Sequence, residues 1–106
     1  MELEPGNPLQ GVQGDKIQTR SRVVWESDDK KTQIGIWECE TGRFRFDFDS
    51  NGEFIHLVDG RMDCFGDDGS VTELGPGDTL TFPPNWKGEW EVKELLRKIY
   101  VEFHES

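Results

Sequence analysis

From Val23 onward, apolar and aromatic residues come in short runs that alternate with polar ones. That period of two is expected where successive side chains point to opposite faces of a strand. Trp90-x-Val92 and Ile99-x-Val101-x-Phe103 show it, and so do Phe44, Phe46 and Phe48, set between Arg43, Arg45, Asp47 and Asp49. The pattern predicts strands over 22–26, 32–40, 43–49, 53–58, 61–65, 70–74, 79–82, 89–93 and 98–103. Ser27-Asp28-Asp29, Asn51-Gly52, Asp59-Gly60, Asp67-Asp68-Gly69 and Gly75-Pro76-Gly77-Asp78 supply turn residues between them, with Asp59-Gly60 the clearest tight hairpin. Residues 91–98 hold good helix formers, but the alternation on both flanks favours two strands joined by a turn near 94–96, with a helix at 92–96 as the alternative. Short strands spaced by turns every eight to twelve residues or so predict a sandwich or barrel.

Residues 1–20, with Pro5, Gly6, Pro8, Gly11 and Gly14, show no sustained period and read as an extended arm able to wrap a partner subunit. Residues 21–106 read as a single domain. A chain of 106 residues has room for one hydrophobic core, and four Trp and seven Phe supply large side chains to fill it despite an apolar fraction of only 33%.

Charge then narrows the partners. Twelve basic against 22 acidic residues give a net charge of −10, which repels phosphate backbones and anionic lipid headgroups. Nucleic acid and membrane surfaces are therefore not expected partners. No apolar run approaches the ~20 residues of a membrane span. Cys39 and Cys64 form no disulfide framework and sit in no zinc-type spacing, and no secretory leader is recognisable, so a reducing cytoplasm is expected.

Several motifs are more specific. Gly42, Glu53 and Gly60 reproduce the end of the first cupin motif, in which a glutamate lies seven positions before a hairpin glycine, and Gly77-Asp78 with Pro83 resembles the second. Ile36-Trp37-Glu38-Cys39, Gly42-Arg43-Phe44-Arg45, Glu53-Phe54-Ile55-His56-Leu57, Trp86-Lys87-Gly88 and Trp90-Glu91-Val92 resemble short cupins of the ureidoglycine aminohydrolase type, over about residues 23–103. The resemblance implies an all-β cupin fold, an antiparallel β-barrel or double-sheet jelly roll with one open mouth, usually paired as a homodimer. It leaves the chemistry open, because one fold hosts many activities.

Metal-binding cupins resemble one another in a His-x-His, three or four residues, then Glu, and a second His after the later motif. Counting back from Glu53, those positions fall on Phe46 and Phe48 or on Asp47 and Asp49. Burying the phenylalanines stabilises by about 1.5 to 3 kcal/mol each, whereas burying unpaired charges costs several kcal/mol apiece, so the rings are expected inside. Asn85 stands where the second motif has Gly, and residues 86–90 contain no His. No metal and no cofactor is therefore expected. The alternative register gathers Asp47, Asp49 and Glu53 around a hard cation.

An inward Glu53 is the candidate acid or base, with an ion pair to Arg45, Arg61 or Arg97 as the structural alternative. The expected pocket for a small molecule is lined by Phe46, Phe48, Glu53, Ile55, Cys64, Trp90 and Tyr100. Cys64 is either a nucleophile or a small buried hydrophobe. His56 falls on the face opposite Glu53, and His104 lies in the last three residues, so neither is assigned a role.

Overall fold

The computed structural model describes residues 2–104. Every regular element there is a strand: β1 (Glu4–Pro5), β2 (Leu9–Gln10), β3 (Lys16–Ile17), β4 (Thr19–Glu26), β5 (Thr32–Cys39), β6 (Gly42–Arg45), β7 (Asn51–Gly66), β8 (Val71–Leu74), β9 (Thr79–Phe82) and β10 (Gly88–His104). All pairs are antiparallel. The order is β1-β4-β5-β10-β7-β8, with β6 also on β10, β9 also on β7, and β2 with β3 as a separate ribbon. This is an antiparallel double-sheet jelly roll, and no helix in it is long and apolar enough to cross a membrane.

Two long strands tie the sheets together, where the sequence pattern predicted two hairpins. Residues 53–58 and 61–65 belong to one strand, β7, and residues 89–93 and 98–103 to one strand, β10. At Asp59-Gly60 the chain does not reverse. Gly60 has φ +91°, and a Cβ there would lie 2.4 Å from the Leu95 carbonyl oxygen, while the β7–β10 register shifts three times between Val92 and Lys98. This is a bulge. A bulge and a tight turn both call for a glycine at positive φ, so Asp-Gly cannot tell them apart.

The bulge bends β10 sharply. Trp90 and Lys98 are eight residues apart, about 27 Å along a straight strand, yet Lys98 Nζ lies 4.4 Å from the Trp90 ring centre. Trp37, the β5 partner of Lys98, meets Trp90 with ring centres 6.2 Å apart. The first half of β10 therefore pairs with β6 and the second half of β7, and its second half pairs with β5 and the first half of β7. The two halves face each other across the core.

Part of that core is aromatic. Phe44, Phe48, Phe82 and Trp90 are almost fully buried, with Phe46 and Trp86 packed against them. Residues 2–20, within the segment expected as an arm for a partner, run along their own barrel. Gly11 bridges to Phe44, the Val12 amide donates to the Arg43 carbonyl, and Ile17 is buried.

Candidate functional site

The second half of β10, which faces the aromatic cluster, carries polar groups, and strand register places them in three successive rows. Lys98 on β10 lies between Trp37 on β5 and Leu57 on β7. Tyr100 lies between Gly35 and Ile55, and Glu102 between Gln33 and Glu53. Directly opposed residues share a face, so these rows converge on one side of the sheet. They border an open cavity of about 160 Å³ lined by Trp37, Phe46, Glu53, Lys98, Tyr100 and Glu102.

A buried ion pair forms its base. Lys98 Nζ donates to Glu53 Oε1 at 2.5 Å, with the two side chains only 3% and 7% exposed. The ammonium also lies 4.6 Å from the Trp37 ring centre and 4.4 Å from that of Trp90. Two aromatic faces and a carboxylate together replace the water that the lysine loses on burial. The second Glu53 oxygen accepts no hydrogen bond from the described residues and is not sealed from solvent. It is a free acceptor on the cavity wall.

Tyr100 donates its hydroxyl to Gln33 Oε1 at 2.9 Å. Burial, and then the charges of Glu53 and Glu102, push its phenol above the ordinary value, so it stays a protonated donor. Gly35 makes room for it, since a Cβ there would come within 2.5 Å of the Tyr100 hydroxyl. Beneath the cavity Phe46 stacks flat on Trp90, with ring centres 4.1 Å apart. Trp90 Nε1 is buried without an acceptor among the described residues.

Phe46, Glu53 and Tyr100 thus reach the cavity wall, and Trp90 lies under its floor. Phe48, Ile55 and Cys64, expected as lining, do not reach it. Phe48 is packed against Phe82 at 5.5 Å, and Ile55 and Cys64 are buried in the core. The aromatic cluster fills the space they would have bordered. The expected arginine partners of Glu53 are engaged elsewhere: Arg45 with Asp47 and Asp67, Arg97 with Glu38, and Arg61 with Glu94. Trp37, Lys98 and Glu102 were missed. Once Tyr100 faces inward, period two alone puts Lys98 and Glu102 beside it.

Phe44 and Phe48 point inward, while the Asp49 side chain is 94% exposed and Asp47 bonds to Arg45 and to the Gly88 amide. Asp47, Asp49 and Glu53 therefore do not converge. Among the described residues no three His, Cys, Asp or Glu side chains come together to hold a metal. The glutamate of the first motif is instead bound by the Lys98 ammonium, whose charge opposes that of a metal ion. These residues do not fit the histidine-based centre of metal-binding cupins. Burial pushes the thiols of Cys39 and Cys64 up to about 12, only partly offset by Lys98, so neither is a thiolate at neutral pH. His56 is half-buried beside Ile99 on the outer face, and His104 contacts Glu102 at 3.3 Å.

Residues 18–100 match the model of the EutQ-like cupin domain. The chain belongs to that family. Among solved structures it is similar to a DUF861-family protein of unknown function from Pseudomonas syringae pv. tomato (22% identity, TM-score 0.85), covering 96% of this chain and 44% of the other. The EutQ protein of Clostridium difficile is similar over 92% of this chain and 76% of its own (18% identity, TM-score 0.74). A DUF861-family protein from Thermotoga maritima reaches 31% identity over 61% of this chain and 73% of its own (TM-score 0.58). This EutQ-like cupin chain therefore spans less than half the length of the Pseudomonas protein. Comparison with curated proteins returned no match.

Proposed function

We propose that this cupin binds a small molecule in the barrel mouth, between Trp37, Phe46 and Tyr100 and above the Lys98–Glu53 pair. The cavity itself carries this reading. About 160 Å³ is close to the space that holds one benzene ring, and aromatic walls with a few fixed polar groups are the usual form of a small-molecule site. A thermal-shift screen of metabolites with about six to eight non-hydrogen atoms tests it, because a ligand selective for the native state raises the melting temperature. Binders whose effect is lost in Trp37→Ala are expected. A full screen without a single shift removes the reading.

A second reading, aminohydrolase-type catalysis as in the ureidoglycine enzymes, is favoured by the free oxygen of Glu53, a base positioned beside an ammonium. Ammonia release from small ureido or amide compounds, abolished in Glu53→Gln, is its test. A reducing cytoplasm suits the two buried free thiols.

A homodimer is the proposed assembly. The outer face of the same sheet carries Trp25, Ile34, Val101 and Phe54 in one cross-strand row and Arg22, Ile36, Ile99 and His56 in the next. Trp25, Phe54 and Ile99 are exposed by 40% or more in a chain of net charge −10. A mostly apolar face with no carboxylate in these two rows lets a second copy pack without bringing the acidic surfaces together. Light scattering should give a dimer that Phe54→Asp converts to monomer. A monomeric parent protein at 100 µM, the order of concentration at which weak pairs form, would overturn the proposal.

A further inference from the structure

We propose that the occupant of this mouth is a small organic cation, a primary ammonium compound with a short apolar tail. The inference rests on the ligand-binding reading above and adds to it the sign of the ligand's charge.

The free polar groups of the cavity carry the argument. The Lys98 ammonium is almost fully buried and held between Glu53 Oε1 and the faces of Trp37 and Trp90. The Tyr100 hydroxyl hydrogen is committed to Gln33. What remains toward the cavity is the second oxygen of Glu53, the carboxylate of Glu102 and the lone pairs of Tyr100, all acceptors. A wall of acceptors selects a donor.

Charge points the same way. Glu53 and Glu102 are direct cross-strand partners, and like charges so placed destabilise a sheet. One lysine faces two carboxylates, so the lined cavity carries a net formal charge of −1 (two Glu, one Lys). Glu102 is only one-third exposed, and its one ion-pair partner among the described residues is His104, at 3.3 Å. A second ammonium between the two carboxylates neutralises them. A bare metal ion fits less well, since a hard cation wants about six oxygen ligands and only two carboxylates are offered. The remaining walls, Trp37, Phe46 and Tyr100, present ring surfaces that attract an organic cation and cover its tail.

Isothermal titration at low ionic strength with three probes of similar size, butylammonium, 1-butanol and butanoate, tests the inference. Butylammonium should bind at least about tenfold more tightly than 1-butanol, and butanoate should not bind. Glu102→Gln should remove most of that preference without lowering the melting temperature, because Glu102 lies on the partly open rim and its charge opposes that of Glu53. The affinity for butylammonium should fall as salt is added, since screening acts on the charge and not on the tail. Binding of 1-butanol or butanoate as tight as that of butylammonium, or displacement of butylammonium by an equal concentration of Mg²⁺ or K⁺, overturns the organic cation and leaves the ligand-binding reading standing. If no probe binds but the metabolite screen yields hits, the inference again fails alone. Silence in both sets overturns the ligand-binding reading with it.

Discussion

The two halves of β10 stand on facing walls of the barrel and solve opposite problems. In the first half, Trp90 and Val92 join Phe44, Phe48 and Phe82 in a packed, largely aromatic cluster. In the second half, the inward positions are Leu96, Lys98, Tyr100 and Glu102, and a buried ion pair lies against the Trp90 ring. The packed half is stabilised by volume and contact. The mouth is held by matched charges that leave space above them. One strand can serve both because the bulge near Gly60 turns its inner face from one environment to the other.

Several substitutions would break or sharpen this contrast. Trp90→Ala should destabilise most, by about 3 to 5 kcal/mol in urea melts, because a large aromatic at the centre of a dense cluster leaves a cavity. A loss below about 1 kcal/mol would mean the cluster is loosely packed. Lys98→Met should cost a similar or slightly smaller amount, on the order of 3 kcal/mol, by leaving Glu53 buried without its cation. The double variant Lys98→Met with Glu53→Leu should recover most of that loss. Failure to recover would show that the lysine acts through packing on Trp37 and Trp90 more than through charge.

Alkali should weaken the fold as well. The thiols of Cys39 and Cys64 ionise at about 9 in the unfolded chain and at about 12 in the folded one. Above pH 9 the unfolded state gives up these protons first, so stability is fully present below pH 9 and declines as pH rises toward about 12. Replacing both cysteines with alanine should flatten that decline in a pH series of melts, and an unchanged slope would contradict it. Tyr100→Phe should have the smallest effect, about 0.5 to 1.5 kcal/mol, through loss of the hydrogen bond to Gln33. Gly35→Ala, by contrast, should disturb the mouth without touching the core, since it drives the Tyr100 ring off its seat. Loss of ligand response with little change in melting temperature is the expected signature.

Much of the fold was legible because strands report themselves through period two, and the inward Phe44, Phe46 and Phe48 follow from the cost of burying the charges between them. The long strands were not. Asp59-Gly60 and residues 94–96 carry the residue types of a turn, and only long-range pairing across β5, β7 and β10 decides that the chain bulges instead. The candidate site was half legible for a related reason. Glu53 and Tyr100 were found through motif and alternation, but Lys98 and Glu102 look like ordinary solvated charges in a local window. Alternation from Tyr100 puts them on its face, but the cost of burying a charge points a local reading outward. Ile55 and Cys64 show the converse: an inward position does not make a residue part of a cavity wall, because neighbouring rings can fill the space first.

The place of β10 in the sheet has one more implication, for synthesis. It follows every other strand in the chain, yet it is the strand on which β5, β6 and β7 all pair. A ribosome adding residues from one end must release nine strands before the central member exists, so neither barrel end can close around its interior until then. Until that point the nascent polypeptide exposes the edges of β5 and β7, and its maturation is expected to be a late, concerted event.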